Sequence, residues 1–191
     1  MGEEKWGDWM DKRRLIIGII VILAIPLYIW IAYFEIPAKS EIGEEKMQQD
    51  PLTHNFEKVL QYENDYMGNA SNTSQLFQSL PLNEYKQSIE MDPDHLLLIV
   101  HYDASAHELQ EKTQQAVIYN STAAFLLIHN LEELEMRFND ETFRVRRDVV
   151  EDYFNDEFKT LIDPENFKEK VQKTFNGEKQ SAMYKVFTEG K

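Results

Sequence analysis

The apolar residues divide the chain into one continuous apolar block near the N-terminus and a longer region in which apolar and polar positions alternate. The block begins at Leu15 and ends at Phe34, and none of its 20 residues is charged. A helix rises about 1.5 Å per residue, so this block would extend about 30 Å, which matches the hydrocarbon core of a bilayer. A soluble helix of this length would carry a polar stripe, and the block has none. The pattern therefore predicts one transmembrane helix at residues 15–34.

The charges that flank this block predict its orientation. Lys12, Arg13 and Arg14 precede it, whereas residues 35–45 contain one lysine and four glutamates. Basic residues remain preferentially on the cytoplasmic side of a membrane. We therefore predict a single-pass protein of the cell membrane with a signal-anchor, a cytoplasmic stub at residues 1–14 and an extracellular C-terminal part. Within the stub, Trp6 and Trp9 are candidates for contact with a partner.

A cleaved signal peptide is the alternative to an anchor. Ala38 and Ser40 are small residues at the spacing that a signal peptidase recognises, so cleavage after Ser40 stays open. The apolar block, however, is longer than the usual signal core of about 7–15 residues. An uncleaved anchor is therefore the prediction.

The region after the anchor shows helical and strand periods that follow a polar spacer at residues 35–52. Alternating or continuous apolar runs predict four strands, near residues 85–91, 96–100, 134–138 and 142–146. Turn residues at 92–94 and 139–140 separate the strands of each pair, which predicts two hairpins. Between the hairpins, Ser105 and Glu108 form a capping box that begins a long helix, which ends near Asn130.

Shorter helices are predicted on either side of this β-β-α-β-β order. One lies within residues 53–65, one begins at Asn72, one begins at Asp148, and one begins at Asp163 with Pro164 in its first turn. The sequence thus predicts an α+β domain at residues 53–176, in which an antiparallel sheet packs on the long helix. Residues 177–191 are expected to form a polar tail.

Composition and charge exclude several classes of function. The net charge is −14, with 34 acidic and 20 basic residues, and the excess follows the apolar block. An acidic domain repels phosphate backbones, so nucleic acid is not an expected partner. The absence of cysteine excludes disulfides, thiolate metal sites, a cysteine nucleophile and a lipoprotein-type anchor.

The best metal-like cluster is formed by His101, Asp103 and His107. Residues 101 and 103 would share one face of a strand, and residue 107 would follow a short turn. A catalytic zinc needs three protein ligands and an open position, and the direction of His107 depends on a loop. We therefore predict no metal, no cofactor and no catalytic residues, although a metal-dependent envelope enzyme stays as an alternative.

Arg144, Arg146 and Arg147 form the basic cluster of the region after the anchor. They are candidates for binding an acidic partner or a phosphate polymer of the cell wall. The simpler interpretation is that they pair with neighbouring acidic residues, because exposed ion pairs form readily and contribute little.

Three segments, YMGNASNTSQLFQSLPL, YNSTAAFLLIHNLEELEMRF and FRVRRDVVEDYF, resemble a domain-of-unknown-function family of bacilli and related Firmicutes. The resemblance covers about residues 62–175, and it implies a domain that follows a membrane anchor or a lipoprotein signal. Ser121 and Thr122 depart from the small apolar residues that the family usually has there. The residues that match the family motifs are Tyr66, Gly68, Asn69, Ser71, Leu80, Pro81, Asn120, Ala123, Phe125, Leu127, Ile128, Asn130, Leu131, Arg147, Asp148 and Glu151.

Taken together, these patterns predict a non-enzymatic membrane protein whose external domain binds a protein or a ligand, as an envelope sensor or an accessory subunit. The expected partners are the lipid bilayer, through the anchor, and a membrane or envelope protein. A structural partner in envelope or spore assembly is the alternative within the same class.

Overall fold

The computed structural model describes residues 17, 20, 23–28 and 36–190, which fall into two compact units, Met1–Glu45 and Lys46–Lys191. In the first unit, residues 17, 20 and 23–28 are helical, and their large apolar side chains are exposed. Most of the predicted transmembrane block, together with Trp6 and Trp9, lies outside the described residues. Among the described residues, no helix is both long and apolar enough to span a bilayer.

The predicted polar spacer contains a helix, α1 (Ile36–Gln49). Its glutamate, lysine, glutamine and methionine residues favour a helix intrinsically, although they provide no apolar face. The remaining helices are α2 (Ala70–Ser79), α3 (Ala106–Leu109), α4 (Glu111–Leu127), α5 (Arg147–Phe154), α6 (Pro164–Lys170) and α7 (Gly177–Glu189), with short 3₁₀ segments at Phe56–Tyr62, Asn83–Tyr85, Asn155–Ile162 and Gln172–Thr174.

Four strands form one sheet in the order β1 (Lys86–Asp92), β2 (Leu97–Tyr102), β3 (Glu133–Arg137) and β4 (Thr142–Arg146). Both predicted hairpins are present, since β1 pairs with β2 and β3 pairs with β4 in antiparallel fashion. One face of the sheet is buried and carries Ile89, Met91, Leu98, Val100, Leu134, Met136, Phe143 and Val145. The other face, which we call the outer face, carries most of the charged side chains of the strands.

The prediction of a wholly antiparallel sheet is wrong, because β2 and β3 are parallel neighbours. Leu98 pairs with Leu134, and Val100 pairs with Met136. A helix connects these strands and returns the chain to the end of the sheet at which β2 begins. As a result, β3 runs in the same direction as β2. The fold is therefore α+β with a mixed sheet, built around a β2-α4-β3 crossover.

The predicted long helix is divided at Gln110, whose φ of +50° ends α3 before α4 begins. Ser105 caps α3 as predicted, and its Oγ accepts a hydrogen bond from the Glu108 backbone N–H at 3.2 Å. Residues 115–127 of α4 are all buried. The apolar stripe predicted from the sequence therefore accounts for only some of the buried residues of α4. The cause is that α4 contacts β3 and β4 and also contacts α7 and the segment Asn155–Ile162.

Residues 177–189 form helix α7 in place of the expected polar tail. Met183 and Phe187 are almost completely buried, and Gln180 accepts a hydrogen bond from the Gln115 side chain at 3.1 Å. The two apolar residues lie four positions apart, so they share one face of a helix. Because α7 contacts α4 and β4, the core extends well beyond residue 176.

One buried histidine joins three separate segments of the core. The Nδ1 atom of His54 lies 2.6 Å from the Tyr119 hydroxyl, and its Nε2 atom lies 2.7 Å from the Ser79 carbonyl oxygen. A carbonyl oxygen only accepts, so this pattern assigns the proton to Nε2, and Nδ1 accepts from Tyr119. Burial disfavours the charged ring and lowers the pKa of His54 to about 4. His54 is thus neutral at pH 7 and is a structural part of the core.

Candidate ligand-binding cleft

The structure separates the three arginines that the sequence places together. Arg144 and Arg146 project from β4 on the outer face of the sheet, whereas Arg147 begins α5 and turns toward the end of α4. The change of direction follows from the change from strand to helix at residue 147. The predicted basic cluster is therefore two separate sites, and each can be considered by itself.

On the outer face, the charged residues pair with one another. Arg137 and Arg144 each lie 2.5 Å from a carboxylate oxygen of Glu135, whose side chain is only 6% exposed. Arg144 also pairs with Glu133 at 3.3 Å, and Arg146 pairs with Asp148. Burial raises the pKa of Glu135, but the hydrogen bonds from Arg144 and Arg137 outweigh this effect and lower the pKa. This face is a self-compensating charged layer over the central strands.

The histidine cluster considered for zinc is not brought together. His101 pairs with Glu90 at 2.9 Å, and Asp103 accepts a hydrogen bond from the Asn139 side chain at 3.2 Å. The His107 backbone N–H donates to Asp140 at 3.1 Å. In the part of the chain that the structure describes, no group of three or more histidine, aspartate or glutamate side chains is arranged to hold a metal ion.

Arg147 forms the centre of a set of contacts at the C-terminal end of α4. Its Nε donates to the Leu131 carbonyl at 2.6 Å, its Nη2 to the Ile128 carbonyl at 2.7 Å, and its Nη1 to Glu151 at 3.1 Å. The guanidinium carbon lies 5.3 Å from the centre of the Phe125 ring, within the range of a cation–π interaction. Arg147 therefore caps carbonyl groups in the turn after α4 and fixes its own plane above an aromatic ring.

Several other residues of the motifs hold the loops around this region in place. The Asn120 side chain donates to the Pro81 carbonyl at 3.0 Å, and Asn130 Oδ1 accepts from the Met67 backbone N–H at 2.7 Å. Ser121 and Thr122 donate to carbonyls one turn earlier in α4, which satisfies their hydroxyl groups without an outside partner.

His129 lies in the turn after α4 and connects it to an acidic loop. Its Nδ1 atom is 2.9 Å from Asp65, and its Nε2 atom is 3.0 Å from Glu63. The two acidic residues come from the segment that precedes α2, more than 60 positions away in the sequence. His129 therefore ties this loop to the end of α4, beside the Arg147 contacts.

These contacts border a half-open cleft with a cavity volume of about 430 Å³. Its floor is apolar and is formed by Phe125, Leu126, Phe158 and Ile162, and its rim carries Glu63, His129, Arg147, Glu151 and Lys159. This volume is within the usual range of small-molecule sites, which combine an apolar lining with a few polar groups. The cleft thus has the composition of a ligand site.

Lys159 differs from the other charged residues at this rim. The ε-ammonium of Lys159 has no hydrogen bond or ion pair with any described residue. Glu63, in contrast, is contacted by His129, and Glu151 by Arg147. In a chain with a net charge of −14, an uncompensated cation beside an apolar floor is available for an anionic group.

The cleft combines charged groups at its rim with an apolar floor. The described residues that line it include no serine, threonine or cysteine, whereas Glu63, Glu151 and Lys159 carry side chains of types that act as nucleophiles in some enzymes. His129 has both ring nitrogens engaged by carboxylates, and it lacks a side-chain hydroxyl or thiol to activate. The arrangement can hold and orient a ligand by charge and by apolar contact.

Phe125, Arg147 and Glu151 are recognisable in the sequence as motif residues. Lys159, His129 and Glu63 are not recognisable there as parts of a site. Glu63, His129 and Lys159 lie far apart in the sequence, and no local spacing connects them. A usable signal was the pairing of Phe125 with Arg147, since aromatic and guanidinium groups commonly stack.

A comparison with known families gives a match to part of the chain. Residues 59–148 match the family model described as Domain of unknown function (DUF4825). The predicted resemblance to a domain-of-unknown-function family is thereby confirmed at that level. The DUF4825 match includes Phe125 and Arg147 but ends before Phe158 and Lys159, so the cleft is formed jointly by the matched region and the residues after it. A comparison with curated proteins and one with solved structures gave no match.

Proposed function

We propose that this DUF4825-containing protein is a non-enzymatic binding protein of the cell envelope, acting as a sensor or as an accessory subunit of another membrane protein. Residues 15–34 anchor it in the membrane, the N-terminus is cytoplasmic, and the unit Lys46–Lys191 is outside. The observation that carries the proposal is the cleft at the end of α4, where an apolar floor meets a fixed arginine and a lysine that has no partner in the described part of the chain. Ligand sites commonly have this combination.

The architecture around the cleft supports a role in binding. The groups that shape the rim come from the loop before α2, the end of α4, α5 and the segment Asn155–Ile162. Hydrogen bonds and ion pairs fix Arg147 and His129 in place before any ligand arrives. Such preorganisation lowers the entropic cost of binding.

The proposed orientation predicts the behaviour of reporter fusions. Alkaline phosphatase joined after Lys191 is expected to be active, because the basic residues Lys12, Arg13 and Arg14 keep the opposite end in the cytoplasm. The matched control replaces these three residues with glutamate, which is expected to reduce phosphatase activity. Activity of a cytoplasm-only reporter at the same position in the unmodified chain would contradict the orientation.

The cleft itself is tested by site-specific photocrosslinking in native membranes. A photoreactive phenylalanine derivative at Ile162, on the floor of the cleft, is expected to give a discrete adduct. The matched control places it at Val186, which is also a half-buried β-branched residue but lies on α7. The mass of the adduct distinguishes a small ligand from a protein partner. Identical adducts at both positions, or no adduct at Ile162, would count against the proposal.

A further inference from the structure

We infer that the cleft binds a monocarboxylate attached to an apolar body, with the carboxylate at Lys159 and Arg147 and the apolar part on the floor. This inference rests on the proposed binding function and adds the chemical class of the ligand. The same chemistry is offered by a free aliphatic acid and by the C-terminus of a peptide that ends in an apolar residue.

The sign of the ligand charge follows from Lys159, a cation at the rim that has no partner among the described residues. Glu63 lies 3.0 Å from His129, and Glu151 lies 3.1 Å from Arg147, so both carboxylates already have partners. The Lys159 ammonium has no partner among the described residues. A ligand that carries a negative group would therefore compensate the group that the protein leaves uncompensated.

Arg147 lines the same cleft as Lys159 and has N–H groups left for the same carboxylate. Three of its N–H groups are used by Leu131, Ile128 and Glu151, and one N–H on each terminal nitrogen makes no further hydrogen bond to the described residues. A guanidinium has five N–H donors in a fixed plane, which suits the two oxygens of a carboxylate. The contacts with carbonyl oxygens and with Phe125 hold that plane without consuming the remaining donors.

The rest of the cleft limits the ligand to one negative charge and requires an apolar portion. Lys159 is the cation at the rim without a partner among the described residues, so a phosphate dianion would leave one of its charges uncompensated, whereas a carboxylate would not. Phe125, Leu126, Phe158 and Ile162 provide no hydrogen-bonding side chains, so a wholly polar anion would lose its hydration on this floor without gaining hydrogen bonds. A volume of about 430 Å³ suits a molecule of modest size.

Calorimetric titration of the full-length protein in zwitterionic nanodiscs tests this ligand class. The probes are N-acetyl-L-leucine, which represents a peptide C-terminus, hexanoate, which represents a free aliphatic acid, and N-acetyl-L-leucinamide, which lacks the carboxylate. We expect saturable binding of at least one carboxylate probe. Binding of the first probe only assigns the peptide source, binding of hexanoate only assigns the free acid, and binding of both supports the shared chemistry.

The protein variants link that binding to the cleft. Lys159→Gln is expected to weaken carboxylate binding by about two- to fivefold, which corresponds to the loss of one exposed charge contact. Lys185→Gln removes an exposed lysine from α7 and is expected to leave the affinity unchanged. Both substitutions affect exposed side chains, so folding is retained and is checked by circular dichroism.

The outcomes separate this inference from the proposed function. Equal binding of the amide, equal affinity of Lys159→Gln, or no binding of either carboxylate would overturn the ligand class. If the Ile162 photocrosslink still forms in those cases, the binding function stands and only the ligand class fails. If the photocrosslink is also absent, both fail together.

Discussion

Replacement of Leu127 by alanine is expected to lower the free energy of unfolding of the unit Lys46–Lys191 by about 2–5 kcal/mol. Leu127 is the last residue of α4, and its side chain is completely buried in the main hydrophobic cluster. Alanine removes the apolar contacts and leaves a cavity that the surrounding side chains fill only in part. Urea unfolding monitored by circular dichroism measures this difference.

The matched control for this substitution is Leu52→Ala. The Leu52 side chain is 50% exposed, and a change at such a position is expected to alter the unfolding free energy by no more than about 0.5 kcal/mol. If Leu127→Ala gives a loss as small as the control, then Leu127 does not pack in the core as described.

Acidification is expected to remove about 3 kcal/mol of stability through His54 alone. Its pKa is about 4 in the folded protein, compared with 6.5 for the unperturbed side chain, so the unfolded chain binds the proton more readily. The contribution is therefore fully present above pH 6.5 and is lost progressively as the pH falls toward 4. Below that value the folded protein must hold a charged ring between Tyr119 and Ser79, where Nδ1 can no longer accept.

The measurement compares the wild type with His54→Gln, since glutamine can donate and accept but does not titrate in this range. Both proteins contain the same acidic residues, so the difference between their unfolding free energies isolates His54. This difference is expected to shrink from pH 7 to pH 4. His107→Gln changes an exposed histidine and is the control. A difference that is constant with pH for His54→Gln would refute the assignment.

Local signals in the sequence predicted both hairpin turns and several helix starts correctly, although α2 begins at Ala70 with Asn69 as its cap and not at Asn72. Asp163 caps α6, with hydrogen bonds from the Glu165 and Asn166 backbone N–H groups at 3.1 Å, and Pro164 lies in the first turn. These features depend on interactions between residues within three or four positions of one another, so a short stretch of sequence is enough to predict them.

Features that depend on distant residues were missed. The direction of β3 relative to β2 is decided by where the chain returns after α4, and neither strand encodes that position in its own pattern. Helix α7 was missed because Met183 and Phe187 are surrounded by polar residues in the sequence, which gives only a weak apolar pattern. Their burial depends on contact with α4 and β4. Tertiary contact overrides weak local preference in both cases.

The cleft could be predicted only in part, for a related reason. Arg147 and Phe125 are recognisable because they belong to motifs, but Lys159 and Glu63 acquire their meaning from spatial position. Lys159 is one lysine among many in the sequence. Only the structure shows that its ammonium group has no partner among the described residues, while the nearby carboxylates do. Which charged groups at a site are paired can be read only from the positions of the side chains in the folded protein.

The burial of residues 115–127 of α4 has a consequence for how the unit opens. The residues that cover α4 come from positions as distant as Gln180, which bonds to Gln115, and His54, which bonds to Tyr119. Contacts of such long sequence separation form late and are lost together, so no local segment can expose α4 by itself. The amide protons of α4 are therefore expected to exchange with solvent only when the whole unit unfolds, while those of exposed turns exchange through small fluctuations. A protease or a mechanical force that acts on this unit would then encounter a single cooperative barrier.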